Sequence, residues 1–461
     1  RDFMIMGSPM TAETRNGVFV NSYNVQEYTS ANFLPHPGVP AGGTNFADDN
    51  LDDWNPASGA INPGEGYLVY PQAAYNDPLY DGPPPVTTLT FPLTYTQGTL
   101  NNGTISRSVL YNGGTNPDGT PNILSNPYAS PIDADQLIAN NALINEVYFW
   151  EHLTPPSAGI PGANTINVSM DDISMYNGTM GVPAANDTGT STTPNGVIST
   201  GQGFGIKAFG SGTVNFTNSM RLTSGNSTLR TSQEEAEKLI LKVANDGYDL
   251  RSYTGIGFRS DGTPELDDNM DSNRLATLIS LYSHLEDGSE QLGIQTRESF
   301  ESGIKIPMGF ASQVEEAALF EISIAGLEGT SLTNASIYLI DNVENTITDL
   351  TQTNYQFSSN KGTFNGRFTL QFEGDILSTN DLALETIGVY PNPTSGQLNI
   401  VSPTIGIEMI TVYDLRGRKV EEVSLNGEQS YQVDMSAMDA ALYFVTIQTE
   451  NGSVTKRIVK K

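Results

Sequence analysis

Residues 389–400 read VYPNPTSGQLNI, and the apolar–polar alternation that begins at Leu398 recurs up to Met435. Alternation with a period of two is typical of strands with one buried face. The runs are separated by turn sequences, namely DLRGR at 414–418 and Asn-Gly pairs at 426–427 and 451–452. Such turns supply the positive φ that tight hairpins need. The segment therefore predicts a small antiparallel sandwich of immunoglobulin type, with about seven strands.

This terminal segment, residues 389–461, resembles the C-terminal sorting domain of substrates of the type IX (Por) secretion system of Bacteroidetes. The resemblance implies export across the outer membrane, with release or anchoring at the cell surface. It also implies recognition by the outer-membrane translocon and its PorV-type shuttle. Exposed turns and strand edges are the expected contacts, and the residues predicted to make them are Tyr390, Pro391, Asn392, Pro393, Asp414, Gly417, Arg418, Lys456, Lys460 and Lys461. Asp414 and Gly417 have an alternative role, which is to shape the hairpin.

The charge of the chain is strongly acidic and unevenly distributed. Lys and Arg number 22 against 52 Asp and Glu, a net charge of −30. Residues 389–461 hold eight acidic and seven basic residues, so the preceding part carries −29 and a domain boundary is expected near residue 380. Nucleic acids and anionic membranes need basic patches, so neither is an expected partner. Cysteine is absent, which excludes disulfides and thiol chemistry.

Two stretches of the first half share one order of features. In each, a strand runs into a proline turn, a long excursion follows, and Gly-x-Gly-aromatic opens another strand. These features lie at 5–9 and 64–70, and again at 123–127 and 201–206. Two units are too few for a solenoid, so a single two-unit β-domain is predicted. The long excursions, 45–60 and 155–200, are expected on the surface.

The whole chain is predicted to be all-β, with tandem β-sandwich or jelly-roll-like domains followed by the immunoglobulin-like sandwich. Residues 248–273 are expected to form an acidic loop, and strands are expected near 275–282, 320–325, 336–340 and 367–372. The predicted divisions are a two-unit β-domain at 1–228, a jelly-roll-like sandwich at 229–375, a linker at 376–388 and the sorting domain at 389–461. The chain does not open with an export signal, so we expect it to be a mature form or a piece of a longer protein, and we favour the piece.

Most of residues 1–375 resembles a module that precedes sorting domains in adhesin-like surface proteins of flavobacteria. The resemblance is carried by NPYASPIDAD at 126–135, Tyr148-Phe149-Trp150 and the Gly-x-Gly-Phe at 201–204. It implies no reaction, so we expect a non-enzymatic stalk or adhesion body, with a cell-surface glycan as a candidate partner. The alternative is the C-terminal part of a secreted carbohydrate-active enzyme or carbohydrate-binding protein. The aromatic trio at 148–150 could stack on sugars, although consecutive strand residues normally point to opposite faces.

Two acidic clusters are candidate Ca²⁺ sites, because this ion takes six to eight oxygen ligands. No other cofactor is predicted. Neither cluster has EF-hand spacing, and solvated acidic loops are the favoured explanation of both. Histidines are scattered, at 36, 152 and 284, so no zinc site is predicted. The first cluster consists of Asp48, Asp49, Asn50, Asp52 and Asp53, and the second of Asp261, Glu265, Asp267, Asp268, Asn269 and Asp271. The predicted Ca²⁺ ligands are Asp261, Asp267, Asp268 and Asp271.

Overall fold

The alternation of apolar and polar residues is realised as strands along the whole chain. A computed structural model describes residues 3–39, 42–71, 93–116, 118–188, 193–224, 237–268, 270–373, 387–402, 405–450 and 452–461. The predicted all-β class is confirmed. Helices are short, and the α-helices of the described ranges are α1 (Arg15–Val18), α2 (Ala134–Ala139) and α3 (Thr330–Thr333). In these ranges no helix has the length and apolarity needed to cross a membrane.

The chain divides into two units, Arg1–Gly374 and Asp375–Lys461. The division falls next to the predicted linker, of which residues 376–386 lie outside the described residues. Within the first unit, the predicted boundary between 228 and 229 also lies outside the described residues. That finer division of the body therefore stays a prediction.

The first half of unit Arg1–Gly374 builds several small sheets. Its strands are β1 (Met4–Met6), β2 (Asn24–Tyr28), β3 (Trp54–Pro56), β4 (Tyr67–Tyr70), β5 (Ile105–Val109), β6 (Thr120–Ser125), β7 (Ile132–Asp133), β8 (Val147–Trp150), β9 (Ile173–Tyr176), β10 (Gly181–Val182), β11 (Val197–Ile198), β12 (Gly203–Ala208) and β13 (Gly212–Phe216). The larger sheets have the orders β1-β4-β2-β3 and β10-β9-β8-β12-β6. Strands β7 and β11 pair separately, as do β5 and β13.

The two similar stretches of the sequence have the same strand pairing. Strand β1 pairs antiparallel with β4, and β6 pairs antiparallel with β12. Each stretch is also bonded to the other, because Gly7 N donates to Gly201 O at 2.9 Å and Ser125 N donates to Gly64 O at 3.1 Å. The two stretches are therefore interlocked by reciprocal backbone hydrogen bonds.

The second half of the unit is one large curved sheet. Its strands are β14 (Glu237–Asn245), β15 (Leu250–Phe258), β16 (Ser272–Asn273), β17 (Ile279–Ser283), β18 (Leu292–Arg297), β19 (Lys305–Ser312), β20 (Ala318–Glu328), β21 (Ser336–Asp341), β22 (Thr346–Asp349), β23 (Tyr355–Ser359) and β24 (Gly362–Glu373). The order is β22-β21-β24-β19-β17-β18-β15-β14-β20-β23, with β16 beside β18. Ile337 of β21 and Phe357 of β23, near opposite ends of this order, share one buried core. The sheet therefore wraps around that core as a sandwich.

Strand β15 corrects the prediction that residues 248–273 form an acidic loop. It lies between β14 and β18, and its register with β18 is parallel. Gly255 and Gly257 weaken the strand signal in the sequence, because glycine is unfavourable within strands. A Cβ at Gly255 would lie 2.8 Å from Met180, and one at Gly257 would lie 2.5 Å from Thr179. The glycines thus allow the first half of the unit to approach this strand closely.

The two halves of the unit share a small apolar cluster. Tyr148, Met175, Met180 and Val182 of the first half pack with Ile294 of the second. Polar contacts cross the same junction, including a hydrogen bond from Thr296 Oγ1 to Thr179 Oγ1 at 3.0 Å. The halves are therefore joined by buried side chains as well as by the chain.

The unit Asp375–Lys461 is a small sandwich of two sheets. Its strands are β25 (Gly388–Tyr390), β26 (Gln397–Val401), β27 (Ile407–Asp414), β28 (Lys419–Glu428), β29 (Ser430–Asp434), β30 (Leu442–Thr449) and β31 (Gly452–Val459). The sheet orders are β25-β26-β29 and β28-β27-β30-β31. Leu398, Ile400 and Val433 of one sheet pack against Val412 and Val445 of the other. The alternation read from the sequence thus supplies the inner face of each sheet.

Candidate functional site

A cleft of about 700 Å³ opens where the two interlocked stretches of the first half meet. Strands β2, β3, β4 and β8 contribute to its walls, as do residues of both long excursions, 48–54 and 156–170. Excursions that the sequence placed on the surface therefore form part of a concave site. Clefts at such junctions are the usual location of ligand sites.

Aromatic side chains form a continuous row along this cleft. The Phe3 ring stacks on Trp150 with centroids 5.0 Å apart and an interplanar angle of 19°, and it lies 5.6 Å from Tyr70. Tyr23, which is 46% exposed, lies 6.5 Å from Tyr70. A second aromatic pair, Tyr28 and Trp54, has centroids 4.9 Å apart and also lines the cleft.

The sequence-predicted aromatic trio is divided between environments. Tyr148 and Phe149 are buried and belong to two different apolar clusters. Trp150 is half-buried and joins the aromatic row. Only the last member of the trio therefore presents a partly exposed ring at the cleft.

Strand β2 supplies polar groups beside the rings. Asn24, Gln26 and Tyr28 alternate along it and line the cleft, while Val25 points into the core. The side-chain amides of Asn24 and Gln26 make no hydrogen bond to any described residue. They are available as both donors and acceptors.

A buried carboxyl group completes the cleft. Asp53 is 8% exposed, and its Oδ1 accepts a hydrogen bond from Trp54 N at 2.8 Å. Burial, followed by the charge of Asp48, raises the pKa of Asp53 to about 7. Asp48 has a structural task, because its oxygens accept from Leu34 N at 2.8 Å and Asn50 N at 3.0 Å. Burial, then Asp53 and Asp48, also raises the pKa of Tyr28 well above its ordinary value.

Three of the four predicted calcium residues of the second acidic loop, Asp261, Asp267 and Asp271, are bound by protein groups. Arg259 makes a bidentate pair with Asp261 at 2.9 and 3.0 Å, and Asp268 is exposed. Asp267 accepts from Thr263 N at 2.6 Å, and Asp271 accepts from Thr296 N at 2.6 Å and Asp267 N at 2.9 Å. Within the described ranges no three His, Asp or Glu side chains are placed to share a metal ion. Calcium binding by this loop stays a prediction.

The predicted turn of the sorting segment is present. Gly417 has φ +74°, and Gly417 N donates to Asp414 O at 2.9 Å. The Asp414 carboxylate accepts from Arg416 N at 2.9 Å and from Arg418 N at 3.0 Å. These hydrogen bonds lower the pKa of Asp414, and the one from Arg418 N has the largest effect. Asp414 and Gly417 therefore shape the hairpin, whereas the Arg418 side chain is 77% exposed.

The predicted lead-in and end strand are brought together. Asn392 Nδ2 donates to Arg457 O at 2.8 Å, and Asn392 Oδ1 accepts from Val459 N at 2.9 Å. In the register of the sheet, Asp414 lies opposite Tyr443, which lies opposite Ile458. The lead-in, the turn and the last residues of the chain thus share one end of the sheet β28-β27-β30-β31.

The ten predicted sorting residues differ in exposure at this end of the sheet. Tyr390 is 53% exposed, Lys456 is half-buried, and Lys460 is only 8% exposed with its Nζ donating to Lys461 O at 2.6 Å. Little of Lys460 is therefore accessible to a partner, and its role in recognition stays a prediction. The exposed members are Tyr390, Pro391, Asn392, Pro393, Gly417, Arg418 and Lys461.

Most cleft residues were missed by sequence reasoning. Phe3, Tyr23, Tyr28 and Tyr70 are isolated aromatics, each in a different strand or turn of the sequence. Trp54, which directly follows the acidic cluster, carried the clearest signal because tryptophan occurs only twice in the chain. The site comes together through the sheet β1-β4-β2-β3 and through the stacking of Phe3 on Trp150 of β8, a strand of another sheet.

Comparisons with known proteins cover both units. Residues 1–372 match the family described as a domain of unknown function (DUF8693), and residues 388–461 match the one described as a secretion system C-terminal sorting domain. An ulvan lyase of Nonlabens ulvanivorans is 32% identical over 90 residues, which are 19% of this chain and 17% of the lyase. A solved structure of a polysaccharide lyase aligns with 49% of this chain and with 40% of the lyase chain, at 9% identity. The TM-score of this alignment is 0.17, so it supports no argument about fold.

These matches decide several expectations. The sorting domain is confirmed, and with it export across the outer membrane to the cell surface or the medium. The expectation that the chain is not an enzyme is contradicted by the similarity to an ulvan lyase, and we withdraw it. The predicted adhesin-like character of the body finds no support in either match.

Proposed function

We propose that this chain, which belongs through residues 1–372 to the family described as a domain of unknown function (DUF8693), is an exported carbohydrate-active protein. In this proposal it binds a polysaccharide chain in the aromatic cleft. The observation that carries the proposal is the row Trp150–Phe3–Tyr70–Tyr23, accompanied by the amides of Asn24 and Gln26. Sugar rings present C–H groups to aromatic faces, which are electron-rich, and hydroxyl groups to polar side chains.

The sorting domain would deliver this cleft to the outside of the cell. We propose that the translocon and a PorV-type shuttle recognise the exposed lead-in and turn at one end of its four-stranded sheet. A glycan of the cell surface or of the surroundings would then be the ligand of the body. Location and binding chemistry agree, because an exported cleft can meet glycans of the cell surface and of the surroundings.

Polysaccharide binding can be tested with the full chain by affinity electrophoresis in gels that contain one polysaccharide each. For a polysaccharide that retards the native chain, Trp54→Ala and Trp150→Ala are each expected to weaken binding about tenfold, which corresponds to about 1.4 kcal/mol. Tyr248→Ala removes an aromatic ring that is 55% exposed and does not line the cleft, so it serves as the matched control. Equal loss in all three variants, or no retardation by any polysaccharide, would contradict the proposal.

Cleavage of the bound chain is a second candidate function, supported by the similarity to an ulvan lyase. The chain covers 17% of that enzyme, so the reaction is not transferred from it. Asp53 is the residue of the cleft best suited to proton transfer, because its raised pKa lies near neutral pH. Reducing-end assays on each bound polysaccharide, with Asp53→Asn as the comparison, test this candidate. Activity unchanged in Asp53→Asn would exclude that role.

A further inference from the structure

The charges that line the cleft are all of one sign. Asp48 and Asp53 are among the lining residues, and no Lys, Arg or His is found among the described residues of the lining. Asp53 is buried, and beyond Trp54 N its carboxyl group has no hydrogen-bonding partner among the described residues. An anionic ligand would therefore bring negative charge next to Asp48 and, wherever it is ionised, Asp53, in a poorly solvated site.

The lysine and arginine side chains of the surrounding structure are committed elsewhere. Between residues 3 and 224 the described part of the chain contains four Lys and Arg residues, and each has a protein partner away from the cleft. Arg15 donates to Phe19 O and Ser22 O, Arg107 pairs with Glu65 at 2.8 Å, Lys207 pairs with Glu146 at 3.2 Å, and Arg221 Nε donates to Ser130 Oγ at 3.0 Å. None can turn towards a ligand without breaking these contacts.

The polar groups that remain are suited to hydroxyl groups. Asn24 and Gln26 offer amide donors and acceptors, and the Asp53 carboxyl group can accept from a sugar hydroxyl. The rings of Trp54, Tyr70 and Trp150 add apolar faces. In the described part of the lining, this combination lacks the bidentate cations that carboxylate and sulfate groups need.

Resting on the proposed glycan cleft, we infer that its ligand is an uncharged sugar chain and that uronate or sulfated polysaccharides are rejected. The selectivity has a physical cause in the two lining carboxyl groups and in the lack, among the described lining residues, of a Lys or Arg side chain to offset them. It is a property of the cleft and acts in addition to the repulsion from the net charge of −30 of the chain.

The test measures binding of the full chain to neutral polysaccharides (a β-glucan, a xylan and a galactan) and to anionic ones (an alginate, a polygalacturonate and a sulfated galactan). Measurements at low and at physiological salt separate the local effect from general repulsion, which salt screens. We expect retardation by at least one neutral polymer, lost about tenfold in Trp150→Ala, and no binding of the anionic ones at either salt concentration.

Gln26→Lys places a cation on the cleft-facing side of β2 and is expected to increase binding of an anionic polymer at least tenfold. Gln313→Lys adds the same charge at a half-buried glutamine outside the cleft and should leave anionic binding unchanged. Asp53→Asn is an isosteric change that removes negative charge, so it should also increase binding of an anionic polymer.

The outcomes separate the two proposals. If the native chain binds an anionic polymer and Trp150→Ala abolishes that binding, the inferred ligand class is wrong while the glycan cleft stands. If a neutral polymer is bound and Trp54→Ala and Trp150→Ala have no effect, or if neither class is bound, the glycan cleft itself is wrong and the inference falls with it. If Gln26→Lys folds and gains no anionic binding, charge is not the basis of selection.

Discussion

Lys207 and Glu146 form an ion pair in the interior of the body, with Nζ and Oε1 3.2 Å apart and both side chains almost inaccessible. Lys207 Nζ also donates to Thr44 Oγ1 at 2.9 Å. Glu146 accepts from Tyr148 OH at 2.6 Å and from Ser272 Oγ at 3.2 Å. This network connects four segments that are far apart in the sequence, including the junction between the two halves of the unit.

We predict that Lys207→Met lowers the free energy of unfolding by about 3–5 kcal/mol, because it leaves the Glu146 carboxylate buried without a cation. The double variant Lys207→Met with Glu146→Leu should recover part of that loss. Urea denaturation measures both. Lys361→Met is the control, since Lys361 pairs with Glu315 at the surface. This substitution should lower the free energy of unfolding by about 1 kcal/mol or less. A loss below about 1 kcal/mol in Lys207→Met would contradict this role of the network.

At the scale of elements, different residues of the hairpin between β27 and β28 form the turn and are available to a partner. The Asp414 carboxylate and Gly417 make the turn, and Arg418 Nε donates to Asp414 Oδ2 at 3.1 Å while 77% of the Arg418 side chain stays exposed. We predict that Arg418→Ala reduces co-purification with the translocon or shuttle while the melting temperature is unchanged. Lys361→Ala, an exposed lysine of the other unit, controls for the loss of one positive charge. Unaltered co-purification of Arg418→Ala would remove this residue from the recognition surface.

The acidic loop around Asp267 gives a prediction about calcium. Asp267 and Asp271 already accept backbone amides and Asp261 pairs with Arg259, so a cation would compete with these bonds. We therefore expect millimolar Ca²⁺ and Mg²⁺ to raise the melting temperature equally over an EGTA reference, through screening alone. A rise specific to Ca²⁺ that disappears in Asp267→Asn would instead establish the predicted site.

For the whole molecule, the two units predict separable folding and export. Removing residues 389–461 should leave the body folded, because the division at Gly374 places its cores entirely in the preceding residues. The truncated protein should accumulate inside the cell, because the sorting domain is absent. Circular dichroism of the purified truncated protein checks whether the body is folded. Cell fractionation checks whether the truncated protein stays inside the cell. Truncated protein found in the medium would show that export uses another signal.

The stability of the body should also depend on pH in a defined direction. Burial raises the pKa of Asp53, Asp171 and Asp271 to about 7, with Asp172 adding to the effect at Asp171. In the unfolded chain aspartate titrates near 3.9, so between these values the folded state binds more protons. The resulting stability is complete below the unfolded pKa and is lost as pH rises through about 7.

We therefore expect the urea midpoint to rise as pH falls from about 8.5 to about 5.5, and Asp53→Asn with Asp271→Asn to flatten this dependence. Below about pH 4 the trend should reverse. Burial alone would raise the pKa of Asp341, but hydrogen bonds from the Glu344 and Val343 backbone amides lower it. Protonation of Asp341 at low pH would weaken these hydrogen bonds. A midpoint that falls steadily from pH 8.5 to 5.5 would contradict the assignment.

The sequence by itself determined the fold class, the sorting domain and the turn at 414–418. These follow from strand periodicity and turn chemistry, both of which are encoded within a few neighbouring residues. Strand pairing between distant segments decided the rest. It turned Gly255 and Gly257 from signs of a loop into a site of close contact, and it buried Lys460. It also gathered Phe3, Tyr70 and Trp150 into one cleft, because which side chains share a surface depends on register and curvature that local patterns do not specify.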